Sequence, residues 1–167
     1  MRQIWAPWRM AYIQRDKKKS GCVLCEKWAD DNDAANYVLY RGERGYIILN
    51  LYPYNNGHLM VVPYEHAASL EDLETETLTE LILLVNRGLA ALREAMAPQG
   101  FNIGVNLGPA AGAGIHEHVH IHIVPRWEGD TNFMPVLGET RVIPQMLEDT
   151  YAQLLAAIQR GSMDSHG

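Results

Sequence analysis

Cysteine and positive charge are scarce in this 167-residue chain, and long apolar runs are missing; each shortage removes a class of explanation. Two cysteines do not make the disulfide framework of a small secreted scaffold. With 14 basic against 20 acidic side chains the net charge is -6, which disfavours a nucleic-acid polymer as partner. A small anion would need only a local pocket of donors. No apolar run is long enough to span a bilayer and no early one resembles a signal peptide, so no membrane partner and a cytoplasmic location are the expectations. The glycine-rich stretch Gly108 to Gly114 lacks the spacing of a dinucleotide fingerprint, and no Gly-Lys-Ser/Thr follows it as in a P-loop.

What is present describes one globular domain, 47% hydrophobic with dispersed charge. Residues 1–20 form an aromatic arm carrying Trp5, Trp8 and Tyr12, suited to packing on its own core or on a neighbouring subunit. Lys17, Lys18 and Lys19 read as a solvated loop or a substrate-facing patch. The domain proper is expected over 21–160, followed by a flexible tail at 161–167 that includes His166. Strands are expected at 36–40, 46–51, 58–62, 101–107 and 117–125, with turn residues between them. From 69 to 96 the period becomes helical, through Leu70, Leu73, Leu78, Leu81, Leu84, Val85, Leu89 and Leu92. Ser69 or Asp72 is placed to cap that helix. A final helix is expected at 148–160. Strands, one long helix, strands and a C-terminal helix make an α+β fold with a mainly antiparallel sheet, since a doubly wound sheet would need alternating crossover helices.

Four of the 7 histidines stand at alternate positions, His116, His118, His120 and His122. In an extended chain they share one face, while Val119, Ile121 and Ile123 point to the other. A buried imidazole must find polar partners, so four in a row are a poor core. They can ligate a transition metal or conduct nucleophilic and acid-base chemistry near neutral pH.

The stretch His118-Val119-His120-Ile121-His122-Ile123-Val124 resembles the histidine-triad (HIT) family, whose motif is His-x-His-x-His followed by two apolar residues. The resemblance extends to Asn55-Asn56-Gly57-His58-Leu59-Met60-Val61-Val62-Pro63 and to the segment from Asn106 to Gly114. It implies a HIT-like nucleotide-binding fold and cleavage at an α-phosphorus through a covalent nucleotidyl-histidine. On that reading His120 is the nucleophile, and His122 and His58 lie near the phosphoryl oxygens. His118 then either supports the active-site hydrogen bonds or, as in some members and their transferase relatives, binds zinc with Cys22, Cys25 and His66. A two-fold homodimer is also implied, with the aromatic arm and Leu81, Leu84 and Val85 as candidate contacts.

Many members of the family place a glutamine and a serine or threonine just before the triad, where this chain has Gly112-Ala113-Gly114-Ile115. Backbone N–H groups of Gly112 and Gly114, or His116 or Glu117, would have to substitute. Asn106, Arg126 and Trp127 are further candidates for contacting phosphate or base. The pattern around Gly104 to Gly108, Ala111 to Gly114, Pro125 to Asp130 and Thr131 to Val136 is similar to a bacterial branch that includes dinucleoside polyphosphate phosphorylases. For such an enzyme, diadenosine tetraphosphate and inorganic phosphate would give ATP and ADP, with Mg²⁺ as charge compensation on the polyphosphate. Hydrolysis of dinucleoside polyphosphates or adenosine phosphoramidates is the alternative activity. A zinc-dependent hydrolase of another class and a non-catalytic nucleotide-binding protein are the other readings.

Overall fold

The computed structural model describes residues 21–130 and 145–163. The aromatic arm at 1–20, Lys17 to Lys19, the stretch 131–136 and His166 lie outside the described residues. In chain order the described elements are helices α1 (Val23–Ala29) and α2 (Asp33–Asn36), strands β1 (Val38–Arg41), β2 (Gly45–Leu49) and β3 (Leu59–Pro63), the long helix α3 (Thr75–Met96), strands β4 (Gly100–Val105) and β5 (Ile121–Arg126), and helix α4 (Leu147–Met163). The strands make one sheet in the order β1-β2-β3-β5-β4, antiparallel at every pairing. This is the expected α+β fold.

The sheet has two differently covered faces. Ile47 and Leu49 of β2, Leu59 and Val61 of β3, and Ile121 and Ile123 of β5 pack with Leu81, Leu84, Val85 and Leu92 of α3 and Leu154 and Ile158 of α4. On the other face Tyr46, Ile48, Met60 and Val62 pack with Leu24 of α1. Burial on both faces explains why β2 and β3 read as continuous apolar runs rather than alternating ones. Helix α3 lies so close to the sheet that a Cβ on Gly88 would come within 3.0 Å of Ile123. Its Glu80 carboxylate accepts the backbone N–H groups of Glu43 and Arg44, each at 2.7 Å, which ties the helix to the β1–β2 turn.

Several expected boundaries shift. The first strand begins at Val38, because Asp33–Asn36 forms a helical turn closed by Tyr37 at φ 58°. The long helical segment is divided: Leu70–Asp72 is a 3-10 turn, buried Leu73 follows in extended backbone, and α3 starts at Thr75. Neither expected cap operates, since the Ser69 hydroxyl donates to the Glu71 carboxylate rather than accepting a backbone N–H. Helix α4 runs past Arg160 to Met163, into the expected tail. Leu81, Leu84 and Val85 are at most 5% exposed and belong to the protomer's own core, which removes them as subunit contacts.

The histidine strand changes most. The ladder to β3 joins only Leu59, Met60 and Val61 to Ile123, His122 and Ile121, and β5 begins at Ile121 rather than 117. Upstream, the Val119 N–H donates to the Ala67 carbonyl at 2.7 Å, beyond the end of β3. The row therefore leaves the sheet before His120. His116 is exposed while His118 and His120 are buried, so the four do not share one strand face.

Candidate active site and metal centre

His58 and His122 meet on the sheet face away from α3. The sharp entry to β3 depends on Gly57, whose φ is 76° and where a Cβ would sit 2.8 Å from the Met96 sulfur. This turn is anchored by Asn55, which donates to the Pro125 carbonyl and to Asp130. The backbone N–H of Tyr54 donates to His58 Nδ1 at 3.0 Å, so a neutral His58 carries its proton on Nε2. That Nε2–H lies 2.9 Å from His122 Nδ1 and donates to it. His122 therefore carries its own proton on Nε2. Burial, with His120 alongside, pushes the His122 pKa down to about 4, so this imidazole is a neutral hydrogen-bond donor near pH 7.

His120, 6% exposed, is fixed in the opposite sense. Its Nδ1 lies 2.8 Å from the main-chain carbonyl of His118, an acceptor only, so the proton is on Nδ1 and the lone pair on Nε2. Burial lowers its pKa and favours the neutral ring. The His120 and His122 rings stand edge to face with centroids 4.7 Å apart. A buried lone pair beside a neutral N–H donor can attack an electrophile while donating to an oxygen on it.

The other predicted contacts sort by position. Gly104 pairs with His122 and Val105 with Ile121, and Asn106 directly follows the end of β4, beyond the last paired residues. In the loop, Gly108 and Gly112 adopt positive φ around the 3-10 turn Pro109–Ala111. The N–H groups of Ala111 and Ala113 donate to the Gly108 carbonyl and that of Gly112 to Pro109, so the loop consumes donors expected to cradle a phosphate. Gly114, His116 and Glu117 are exposed. Arg126 lies at the far end of β5, its guanidinium on Asp130 at 2.6 and 2.7 Å and on Asn102 at 2.8 Å. The pairing holds the Asp130 carboxyl down to about 2. Trp127, half-buried, donates its backbone N–H to the same carboxylate.

A second cluster forms on the other side of His118. Cys22 precedes α1 and Cys25 lies in its first turn, which turns both thiols toward His66 beyond β3 and toward His118. His118 Nδ1 stands 3.3 Å from the Cys22 sulfur and 3.4 Å from that of Cys25, and His66 Nδ1 stands 3.3 Å from the Cys25 sulfur. All four donor atoms lie within 4.8 Å of one another. Donors around a tetrahedral zinc-sized ion are about 3.3 to 3.8 Å apart, so the spacing fits a metal ion. The His118 Nε2–H donates to the Pro63 carbonyl at 2.9 Å, which aims Nδ1 at the thiols. Burial and the adjacent Cys22 thiol push the Cys25 thiol up to about 11, a penalty on ionised sulfur that a bound cation reverses. These four residues could hold a metal ion; among the described residues no other such group occurs.

Sequence reasoning missed the backbone groups that fix the rings, the Tyr54 N–H and the Pro63 and His118 carbonyls. Their side-chain types carry no signal. Tyr54 itself was also missed, although its ring lies 4.7 Å from that of His58.

A five-stranded antiparallel sheet with one long helix across it, and a His-x-His-x-His segment completed by a histidine at the entry to the neighbouring strand, defines a HIT protein. The HIT domain profile matches residues 32–129, and the chain belongs to that family. Cys22 and Cys25 lie outside the matched span. Among particular relatives, the chain is 41% identical over 157 residues to the AP-4-A phosphorylase of Mycobacterium tuberculosis, covering 90% of this chain and 80% of the relative. It is 33% identical over 93 residues to the asymmetrical bis(5'-nucleosyl)-tetraphosphatase of Schizosaccharomyces pombe, covering 56% of this chain and 50% of that protein. The crystal structure of a zinc-bound histidine triad family protein from Mycobacterium smegmatis superposes with a TM-score of 0.69 at 31% identity, over 88% of this chain and 98% of the other. No helix among the described residues is long and apolar enough to cross a membrane.

Proposed function

We propose that this HIT-family enzyme processes dinucleoside polyphosphates by nucleotidyl transfer through His120, with phosphorolysis of diadenosine tetraphosphate to ATP and ADP as its reaction. The observation that carries the reading is the buried His120 ring, with its lone pair on Nε2, packed 4.7 Å centroid to centroid from neutral His122, in a chain 41% identical to an AP-4-A phosphorylase. His120 Nε2 attacks the α-phosphorus, the bond from phosphorus to the bridging oxygen breaks, and ATP leaves with that electron pair. A phosphate oxygen then attacks the nucleotidyl-histidine, the P–N bond breaks, and ADP departs as the neutral ring is restored. The His118 carbonyl takes up the growing positive charge at His120 Nδ1–H, and His122 Nε2–H donates to the charged phosphoryl oxygens. Asn106, just beyond the end of β4, holds a phosphate oxygen, while Mg²⁺ offsets the charge of the polyphosphate.

Zinc is the metal proposed for Cys22, Cys25, His66 and His118, where it supplies a cross-link between α1, the end of β3 and the triad segment. A homodimer in the cytoplasm is part of the same reading. Hydrolysis, with water in place of phosphate at the second step, is the second reading, supported by the likeness to the Schizosaccharomyces pombe tetraphosphatase. Incubation with diadenosine tetraphosphate, with and without phosphate, separates them: phosphate-dependent ADP is the expected result, whereas AMP with ATP selects hydrolysis. Absence of turnover on this compound and on adenosine phosphoramidates overturns both.

A further inference from the structure

His58 enters β3 and His122 lies in β5, and the ladder between those strands stops short of His58. Its last rung joins Leu59 to Ile123. Beyond that rung the tie continues through one side chain. Asn55 Nδ2 donates to the Pro125 carbonyl of β5 at 3.1 Å and to the Asp130 carboxylate at 2.8 Å, while Asn55 Oδ1 accepts the backbone N–H of Asn56 at 3.1 Å. A carbonyl and an ionised carboxylate hold no proton, so both amide hydrogens are committed and the amide has one orientation. The main-chain carbonyl of Asn55 accepts the His58 N–H at 3.2 Å. Asp130, its side chain 9% exposed, is itself held by the Arg126 guanidinium and the Trp127 N–H.

The turn closed in this way decides a proton placement. It presents the Tyr54 N–H to His58 Nδ1 at 3.0 Å, the contact that leaves the His58 proton on Nε2 and so makes His122 a donor at its own Nε2. Asn50 does not make that choice, since its amide nitrogen stands 3.4 Å from both His58 ring nitrogens. Without the Tyr54 N–H, the same two neutral rings can adopt the reverse arrangement. The His58 proton then sits on Nδ1, His122 Nδ1–H donates to His58 Nε2, and His122 Nε2 carries a lone pair. Against a phosphoryl oxygen that lone pair repels, where an N–H would bond.

We infer that Asn55, anchored by Asp130, is a positioning residue that keeps His122 in its donor tautomer by holding the 54–58 turn against β5; this rests on the nucleotidyl-transfer reading above. Its side chain bonds to Pro125, Asp130 and Asn56 rather than to either imidazole. It therefore acts on the rate of the phosphoryl step through His58 and His122, and not on the binding of substrate.

Asn55→Asp tests this, because it keeps the side-chain shape, removes both N–H donors and sets a second charge beside Asp130. Two readings are taken on the zinc-loaded enzyme at pH 7.5: the His122 tautomer from ¹⁵N imidazole spectra, and the rate constant for nucleotidyl adduct formation at saturating diadenosine tetraphosphate. Neither depends on the folded fraction of a variant. In Asn55→Asp the form with a lone pair on His122 Nε2 should appear, and adduct formation should slow by roughly ten- to a hundredfold, the scale of a misplaced catalytic group. Combining it with Asp130→Asn restores a donor and an acceptor at the two positions and should recover part of both readings. Asn55→Ser, which keeps one donor and adds no charge, should move both in the same direction by less, and it carries the test if Asn55→Asp does not fold. Glu80→Ala, which loosens the β1–β2 turn, should leave both unchanged. A wild-type His122 tautomer in the Asn55 variants, or an altered tautomer with an unaltered rate, overturns the role. If the wild-type enzyme forms no adduct the nucleotidyl-transfer reading fails, and the spectra still decide whether Asn55 sets the tautomer.

Discussion

His118 and His120 are two residues apart, both buried and both hydrogen-bonded to a main-chain carbonyl, yet they present opposite nitrogens. His118 gives its Nε2 proton to Pro63 and turns Nδ1 to two thiols. His120 gives its Nδ1 proton to the carbonyl of His118 and keeps its lone pair on Nε2, the atom proposed above as nucleophile. The difference shows that residue type alone does not divide the row into the proposed metal end and the proposed catalytic end. The division comes from which ring nitrogen meets a carbonyl. The two ends are also joined, since His118 serves one with its side chain and the other with its carbonyl oxygen.

The strongest way to break the comparison is His120→Ala. It should abolish the covalent nucleotidyl adduct seen by mass spectrometry and lower turnover by on the order of 10^4-fold or more, as loss of a nucleophile does elsewhere, while zinc content stays near that of the wild type. An adduct persisting at wild-type level would move the nucleophile to another residue. The reciprocal change, His66→Ala, touches only the metal end. It should weaken zinc binding by more than about 100-fold, since loss of a mere supporting partner costs up to that much. The midpoint of thermal unfolding should fall with it, and adduct formation should fall far less than in His120→Ala. Equal losses of adduct in the two variants would mean that the metal does chemistry rather than positioning.

Acid sharpens the contrast. His122, faced by His58, His120 and Tyr54, is held neutral down to about 4 against an ordinary value of 6.5. Its folded pKa is lowered, so between those values the unfolded chain binds a proton that the folded chain refuses. Folding stability should therefore be level above pH 6.5 and decline as pH falls from 6.5 toward 4. His122→Gln should make that decline shallower in urea titrations, and an unaltered slope would show that His122 does not report the buried pair. The smallest effect belongs to Arg126→Gln. The guanidinium is 41% exposed and bound to Asp130, so its loss should cost about 1 kcal/mol or less and reduce adduct formation little.

Periodicity made the sheet and both large helices legible in the sequence, because a face packed on a core leaves its spacing in the residues. It located strand ends less well. Leu73 turns inward in extended backbone and splits the long helical segment, and Val119 bonds to Ala67 instead of a ladder partner, so β5 starts after His120. For the site, the resemblance supplied the chemical assignments, and the structure brings His58 to His122 and gathers Cys22, Cys25, His66 and His118. What stayed illegible were contacts made by backbone atoms and by already occupied groups: the tautomer-setting carbonyls, the N–H donors consumed within the 108–113 loop, and the engagement of Arg126 by Asp130. The backbone contacts do not depend on side-chain identity at the position that supplies the partner, and the Asp130 carboxylate reads from the sequence as any other surface acid.

Whether carbonyl partners assign the ring nitrogens can be read from ¹⁵N imidazole correlation spectra of the zinc-loaded enzyme at pH 7.5. Neutral rings are expected, with the proton on Nδ1 of His120 and on Nε2 of His122. A proton on Nε2 of His120, or a doubly protonated His122 at that pH, would contradict it.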